Sequence, residues 1–171
     1  MADEPASKIV VRPATQADVP ELVSLRIAVA GEGRWIGREL PIDEAAEASI
    51  LGNGIAGANN TMVVATADGS VVGYALVYDG GHGHGEVAMA LLDGWRGQGL
   101  GSRLLGAALQ GARATGAFHK VLLQVWPHNA AGIALYRRHG FLVEGYRHQH
   151  WRRQNGELWD AIEMGLLLAG D

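Results

Sequence analysis

Leu91-Leu92-Asp93-Gly94-Trp95-Arg96-Gly97-Gln98-Gly99-Leu100-Gly101-Ser102-Arg103 joins an apolar β-type run, residues 87–92, to a segment of helical period at about 101–116. Leu104, Leu105, Ala108, Leu109 and Ala112 fall on one face of that helix. The first turn of a helix has N–H groups without intrahelical partners, and the helix dipole places partial positive charge there. Gly97, Gly99 and Gly101 remove the Cβ atoms that would hold a diphosphate away, and Arg96 and Arg103 add charge. The stretch reads as a pyrophosphate cradle; the competing reading is a tight turn before a core helix. A P-loop is excluded, because no Gly-Lys-Ser/Thr closes the loop. The dinucleotide fingerprint G-x-G-x-x-G fails at Ser102, and about half the chain precedes the motif rather than one strand. Arg-x-x-Gly-x-Gly, from Arg96 to Gly101, does fit.

Working outward, residues 8–12 read as a short strand ended by Pro13, and Thr15 with Asp18 forms a capping-box pattern for the next helix. Val19, Leu22, Val23, Leu25, Ile27 and Val29 supply its apolar face, and Gly31 and Gly33 stop it. Residues 32–41 have mixed charges around Trp35 and no periodicity, which suits a contact loop or a plain connection. A second helix starts at Asp43 and runs to about Leu51, followed by a flexible patch over 52–60. Residues 62–67 and 71–78 are β-rich around an Asp68-Gly69 hairpin signal, and 80–85 is a glycine-histidine loop before a strand at 86–92. A strand at 121–126, a short helix at 129–139 and a final antiparallel pair around Asn155-Gly156 complete the order β-α-α-β-β-β-α-β-α-β-β. That order gives a mixed α/β sheet, antiparallel first and parallel around the cradle helix. Residues 1–171 read as a single domain with a core at about 8–168.

A net charge of −4 leaves no basic face for nucleic acid. The absence of cysteine excludes disulfides, thiolate metal sites and a cysteine nucleophile. No signal-peptide profile and no membrane-length apolar run occur, so a cytoplasmic protein is the expectation.

About thirty residues after the cradle comes Asn129-Ala130-Ala131-Gly132-Ile133-Ala134-Leu135-Tyr136-Arg137-Arg138-His139-Gly140-Phe141. With Arg-x-x-Gly-x-Gly before it, this resembles the paired signatures of the GNAT superfamily of N-acetyltransferases, in the right order and on the expected elements. In the tail, Glu144-Gly145-x-Arg147, Gly156, Asp160 and Met164 resemble the branch of phosphinothricin, methionine-sulfoximine and related amino-acid N-acetyltransferases, and Arg38-Glu39-Leu40-Pro41 looks like its acceptor-side loop. Many relatives carry Pro near position 93 and then Tyr, where this chain has Asp93-Gly94-Trp95.

The resemblance implies attack of a neutral amine on the thioester of acetyl-CoA, with no metal. The backbone of Met89, Ala90 and Leu91 would pair with the pantetheine arm as a missing strand, and the amides of Gln98, Gly99, Leu100, Gly101 and Ser102 would hold the diphosphate. Tyr136, protonated at pH 7, would assist the departing thiolate, although a core aromatic has the same spacing. Asn129 would bond the pantetheine amide or simply cap its helix. Glu86 is the candidate general base and faces away from Val87, Met89 and Leu91. An α-amine near 8 costs about 1 kcal/mol to deprotonate at pH 7 and a lysine-like amine roughly 4–5 kcal/mol, so the base matters most for the latter. His82, His84, His148 and His150 invite a metal reading, but three or four converging ligands are required. His84 is better placed as a substrate or water contact.

On the acceptor side, Trp35 would form a contact, and Arg34 and Arg38 could hold a carboxylate, which favours an amino acid or analogue. Glu32, Glu39, Asp43 and Glu44 nearby argue for a cationic acceptor instead, a polyamine or peptide N-terminus. A non-catalytic acyl-CoA sensor on the same fold is the reading from another class. The apolar run at 164–168 is compatible with a homodimer and equally with a core strand.

Overall fold

Ladders of backbone hydrogen bonds run where apolar alternation places strands in the computed structural model, which describes residues 7–168. The chain forms β1 (Ile9–Pro13), α1 (Val19–Gly31), α2 (Glu44–Ala56), β2 (Thr61–Ala67), β3 (Ser70–Gly81), β4 (His84–Leu91), α3 (Leu100–Thr115), β5 (Lys120–Val125), α4 (Ala130–Arg138), β6 (Leu142–Arg152) and β7 (Leu158–Leu167). The seven strands make one sheet in the order β1-β2-β3-β4-β5-β7-β6. The β4–β5 pair is parallel and the other neighbours are antiparallel, the mixed sheet that the sequence predicts.

Alternation along the strands splits the core into two layers. Val63, Ala65, Val72, Ala75 and Val77 point toward α3, whose Leu104, Leu105, Ala108 and Leu109 are fully buried. Met62, Val64, Tyr74 and Leu76 point to the other face, against Leu22, Leu25 and Val29 of α1 and Leu51 of α2. Burying each large aliphatic chain contributes about 1.5–3 kcal/mol, so α3 is fixed firmly along its length and its N-terminus is a rigid platform.

Thr15 and Asp18 close the expected box, but on a single 3-10 turn, Gln16–Asp18, that leads into α1. Arg12 donates to Asp18 at 2.8 and 2.7 Å, and this, against the opposing effect of burial, lowers the Asp18 carboxyl to about 2. Asp43 accepts from the Ala46 N–H at 3.0 Å and starts α2 as expected.

Two local expectations are corrected. Residues 52–56 are helical rather than a flexible patch, because the glycine at 54 lets α2 approach the sheet. A Cβ there would lie 3.2 Å from Leu76 Cδ2. The glycine-histidine loop at 80–85 is a two-residue hairpin: β3 continues to Gly81 and β4 begins at His84, with His82 and Gly83 at φ 52° and 76°. That turn has the positive-φ form of Asp68-Gly69, at 49° and 93°.

Candidate active site

β4 and β5 are hydrogen-bonded over three register positions, His84↔Lys120, Gly85↔Val121 and Glu86↔Leu122, and then part. β5 is paired on its other edge with β7 along its whole length. On its β3 side, β4 continues to Leu91, and the Leu92 N–H donates to Val72 O at 2.9 Å. The antiparallel ladder therefore turns the N–H and C=O groups of Ala88 and Ala90 toward β3, and those of Val87, Met89 and Leu91 into the gap. Met89 and Leu91 are where the sequence expects a strand-like ligand to pair. Ala90 is corrected: its backbone is paired with Tyr74 and its side chain is buried in the α1/α2 layer. The gap opens into a cavity of about 850 Å³ that reaches both faces of the sheet.

The cradle adjoins this gap. A Cβ on Gly101 would lie 3.6 Å from Leu91 Cδ1 and 3.4 Å from Leu135 Cδ2. A Cβ at Gly101 would therefore meet its protein neighbours only at ordinary contact distance, so the packing of α3 does not itself require glycine there. Gly97 and Gly99 have φ of 74° and 79°, a conformation that itself calls for glycine, and no described protein atom lies within 4 Å of a Cβ built at either. The Ser102 and Arg103 N–H groups both donate to Gly99 O, at 3.1 and 3.2 Å. Those of Gln98, Gly99, Leu100 and Gly101 have no partner among the described residues, so the free amides end one residue earlier than expected. The Gln98 side chain donates to Gly94 O at 2.6 Å.

Arg96 is also corrected. Its guanidinium grips Glu32 at 2.7 and 2.6 Å and donates to the Leu91 carbonyl at 3.0 and 2.8 Å. A bidentate pair with these extra bonds leaves little of Arg96 for a phosphate. It ties the loop after α1 to the end of β4, and it occupies the Leu91 oxygen, leaving the Leu91 N–H.

Tyr136, on α4, is half-buried on the cavity wall and packs edge-on against Phe141 at 5.9 Å. Burial first, and the neighbouring Tyr74 second, push its phenol up to about 12. No hydrogen bond occupies its hydroxyl among the described residues. Asn129 caps α4, accepting from the Gly132 N–H at 2.9 Å, and also lines the cavity. Glu86 is the last paired residue before the fork and lies on the α1/α2 face. Its Oε2 accepts a 2.6 Å hydrogen bond from the Tyr78 hydroxyl, while Oε1 lies 3.9 Å from His84 Nε2. Burial, followed by that bond, raises the Tyr78 phenol well above its ordinary value. Among the described residues no group of three His, Asp or Glu side chains converges as a metal site would require.

The loop expected on the acceptor side, residues 32–41, reaches the cavity in part. Trp35 and Arg38 line the cavity, as does His84, but Arg34 and Glu39 do not. Arg34 stacks on Trp35 at 4.3 Å. Glu39 accepts from the Gln154 N–H at 3.1 Å and faces Arg153, which turns it from the site. Behind Arg38 lies a network absent from the sequence expectations. Arg26 is 6% exposed, Glu47 4%, and the two are in direct contact; Arg26 Nε also donates to the Tyr74 hydroxyl at 2.9 Å. Arg38 Nε reaches the same Glu47 at 3.2 Å. Burial would raise the Glu47 carboxyl, but Arg26 and Arg38 together hold it below its ordinary value. Two guanidiniums share this one carboxylate, which leaves Arg38 with donors that Glu47 does not take up. The signal for the network was phase: Arg26 falls with Leu22 and Val29 on the buried stripe of α1, and Glu47 with Leu51 on that of α2.

A fork in a mixed sheet, beside a helix start with free amides, has close counterparts. Residues 30–141 match the family described as "Acetyltransferase (GNAT) family". The chain is 32% identical over 140 residues to an L-methionine sulfoximine/L-methionine sulfone acetyltransferase of Pseudomonas aeruginosa, covering 79% of this chain and 81% of that one. Among solved structures it is similar to a phosphinothricin acetyltransferase of Sinorhizobium meliloti in complex with acetyl-CoA, with 25% identity, TM-score 0.83, and 93% and 88% of the two chains covered. It is similar too to a ribosomal-protein-alanine N-acetyltransferase of Brucella melitensis, with 28% identity, TM-score 0.82, and 92% and 99% covered. The two signatures, the sheet that opens between them and these likenesses make the chain a member of the acetyltransferase (GNAT) family, an N-acetyltransferase with acetyl-CoA as its donor.

Proposed function

We propose that the chain moves the acetyl group directly from acetyl-CoA to the primary amine of a small acceptor that bears a carboxylate, an amino acid or an analogue of one. The observation that carries this is Arg38. Among the described residues only its Nε is engaged, and its side chain is 46% exposed on the cavity wall. Its free Nη groups suit a bidentate carboxylate. The acidic residues that would favour a polyamine or peptide acceptor are largely spent: Glu32 on Arg96, Glu39 on Gln154 and Arg153, Asp43 as a helix cap. The relative named for methionine sulfoximine and methionine sulfone supports the same class of acceptor.

In this reading the pantetheine arm bonds to the gap-facing backbone of Met89 and Leu91 and to Asn129, and the diphosphate lies on the amides of Gln98 to Gly101. The acceptor enters from the α1/α2 face, passing Trp35 and His84. Glu86, whose Oε1 has no hydrogen-bond partner among the described residues, takes the proton from the ammonium directly or through water. The neutral nitrogen attacks the thioester carbon, the C–N bond forms and the C–S bond breaks, and the second proton that the nitrogen sheds passes to the departing thiolate or to water. Tyr136 donates a hydrogen bond to the sulfur as negative charge collects on it. A non-catalytic sensor would have no use for Glu86 and Tyr136 on opposite sides of the fork.

The test is thiol release from acetyl-CoA across amino acids, polyamines and peptides. Methionine analogues or other amino acids should give the highest kcat/KM, and Arg38→Gln should raise their KM roughly tenfold with kcat little changed, as loss of one charged hydrogen-bonding partner implies. Better turnover of a polyamine than of any amino acid would overturn the acceptor class. Binding of acetyl-CoA without turnover of any amine would favour the sensor.

A further inference from the structure

Ser102 and His139 link the two signature helices at the cradle. Ser102 is the third residue of α3, and its own N–H is spent on Gly99 O, so what it can offer an anion is its hydroxyl. That Oγ lies 2.8 Å from His139 Nε2. His139 in turn caps the C-terminus of α4, with its N–H on the carbonyls of Tyr136 at 3.0 Å and Leu135 at 3.3 Å. The cap uses only the His139 backbone, so the ring is free for another task. Burial first, then Arg138 beside it and Arg113 from α3, hold the ring below its ordinary value, so it is neutral at pH 7 with one N–H.

The two tautomers have opposite consequences. If Nε2 accepts, the Ser102 hydrogen points at the imidazole and only oxygen lone pairs face the cradle, which repels a phosphate. If Nε2 carries the hydrogen, it donates to Ser102 Oγ, and the hydroxyl hydrogen is free for an anionic oxygen. An anion on the neighbouring amides selects the second arrangement.

We propose that His139 is a positioning residue for the cofactor: its Nε2–H holds Ser102 Oγ, so that the Ser102 hydroxyl donates to the diphosphate of acetyl-CoA. This rests on the diphosphate reading of the cradle. It also ties the cofactor's phosphates to the end of the helix that carries Tyr136, so the two signatures cooperate through one hydrogen bond.

The test compares acetyl-CoA with S-acetylpantetheine, which has the same thioester and arm but no diphosphate. For each variant the readout is the ratio of kcat/KM for the two donors. His139→Ala should lower that ratio about five- to tenfold, the range expected for one lost hydrogen bond. His139→Gln, which keeps an N–H donor of similar reach, should restore at least half of it. The double variant with Ser102→Ala should be no worse than Ser102→Ala alone. An unchanged ratio with His139→Ala, equal losses on both donors, or additive effects in the double variant would overturn the role of His139. If the unaltered protein prefers acetyl-CoA no more than S-acetylpantetheine, the diphosphate cradle itself falls, and that result is distinct from the others.

Discussion

Tyr136→Phe removes one oxygen from the cavity wall and little else. The ring keeps its edge-on packing on Phe141 at 5.9 Å, and no protein hydrogen bond to the phenol is lost among the described residues, so stability should hold within about 0.5 kcal/mol. What is lost depends on the phenol's acidity. With its pKa pushed up to about 12, and an ordinary thiol near 8.5, complete proton transfer from Tyr136 to the thiolate is uphill by about 5 kcal/mol. Tyr136 therefore acts as a hydrogen-bond donor to developing charge rather than as a full acid. Removing one such preorganised donor costs about 2.7–4 kcal/mol, or roughly 100- to 1000-fold in kcat. A half-buried site open to water belongs at the lower end. The expected result is a kcat about 30- to 300-fold lower at saturating acetyl-CoA, measured by thiol release, with acetyl-CoA affinity by calorimetry within about twofold. The raised pKa also fixes a sign: the required protonated form would be lost only as pH rises toward 12, so the wild-type kcat should have no Tyr136-dependent decline below pH 10. A variant with kcat within about threefold of wild type would refute the assignment. A basic limb between pH 8 and 10 that Tyr136→Phe abolishes would instead overturn the raised phenol and make Tyr136 a full acid.

Glu86→Gln should lower kcat/KM about tenfold at pH 7, because roughly one tenth of an α-amine near 8 is already neutral there, and the deficit should shrink as pH rises through that value, where the amine sheds its proton unaided. A deficit constant from pH 6 to 10 would count against a base. Gly99→Ala forces an L-residue to a φ of 79° at a cost of about 1–2 kcal/mol and should raise the KM for acetyl-CoA around tenfold. Gly101→Ala meets only ordinary contacts and should stay near wild type, and equal damage from both would contradict the geometry. Asp18→Asn should cost about 1–2 kcal/mol at pH 7, less than the full shift implies because Arg12 is partly exposed. Because the folded carboxyl lies at about 2, below the unfolded value near 3.9, that contribution is complete above about pH 5 and fades as pH falls from 4 to 2. Urea unfolding at pH 7 and pH 2.5 checks it, and a pH-independent difference would exclude the ion pair as the cause.

The cradle and the second signature were legible because their physics is local: strand, glycines at positive φ, helix start and cap lie within a few residues of one another. The fork was implied only by the resemblance, as a missing strand beside Met89 and Leu91, and not by the residues themselves, since β5 is drawn from β4 by a partner, β7, that lies some forty residues downstream. Nothing in the strand sequences distinguishes a pair that stays closed from one that opens. Arg96 misled for a related reason. A cation in a glycine loop looks like a phosphate ligand, yet Glu32, 64 residues earlier, claims it. The Tyr78–Glu86 bond was hidden by a turn. Read as a six-residue loop, residues 80–85 leave the strand register undefined; as a two-residue turn at His82-Gly83 they make Tyr78 and Glu86 direct cross-strand partners. Arg26 and Glu47 were visible as opposite charges on the buried stripes of successive helices, a pattern that foretells a buried pair once the helices are known to touch. Such a pair is costly to break, about 3–5 kcal/mol when one partner is removed. Its place beneath Arg38, where an apolar pair would hold the helices as well, is explained if Glu47 fixes Arg38 through Nε so that its remaining N–H groups face the acceptor.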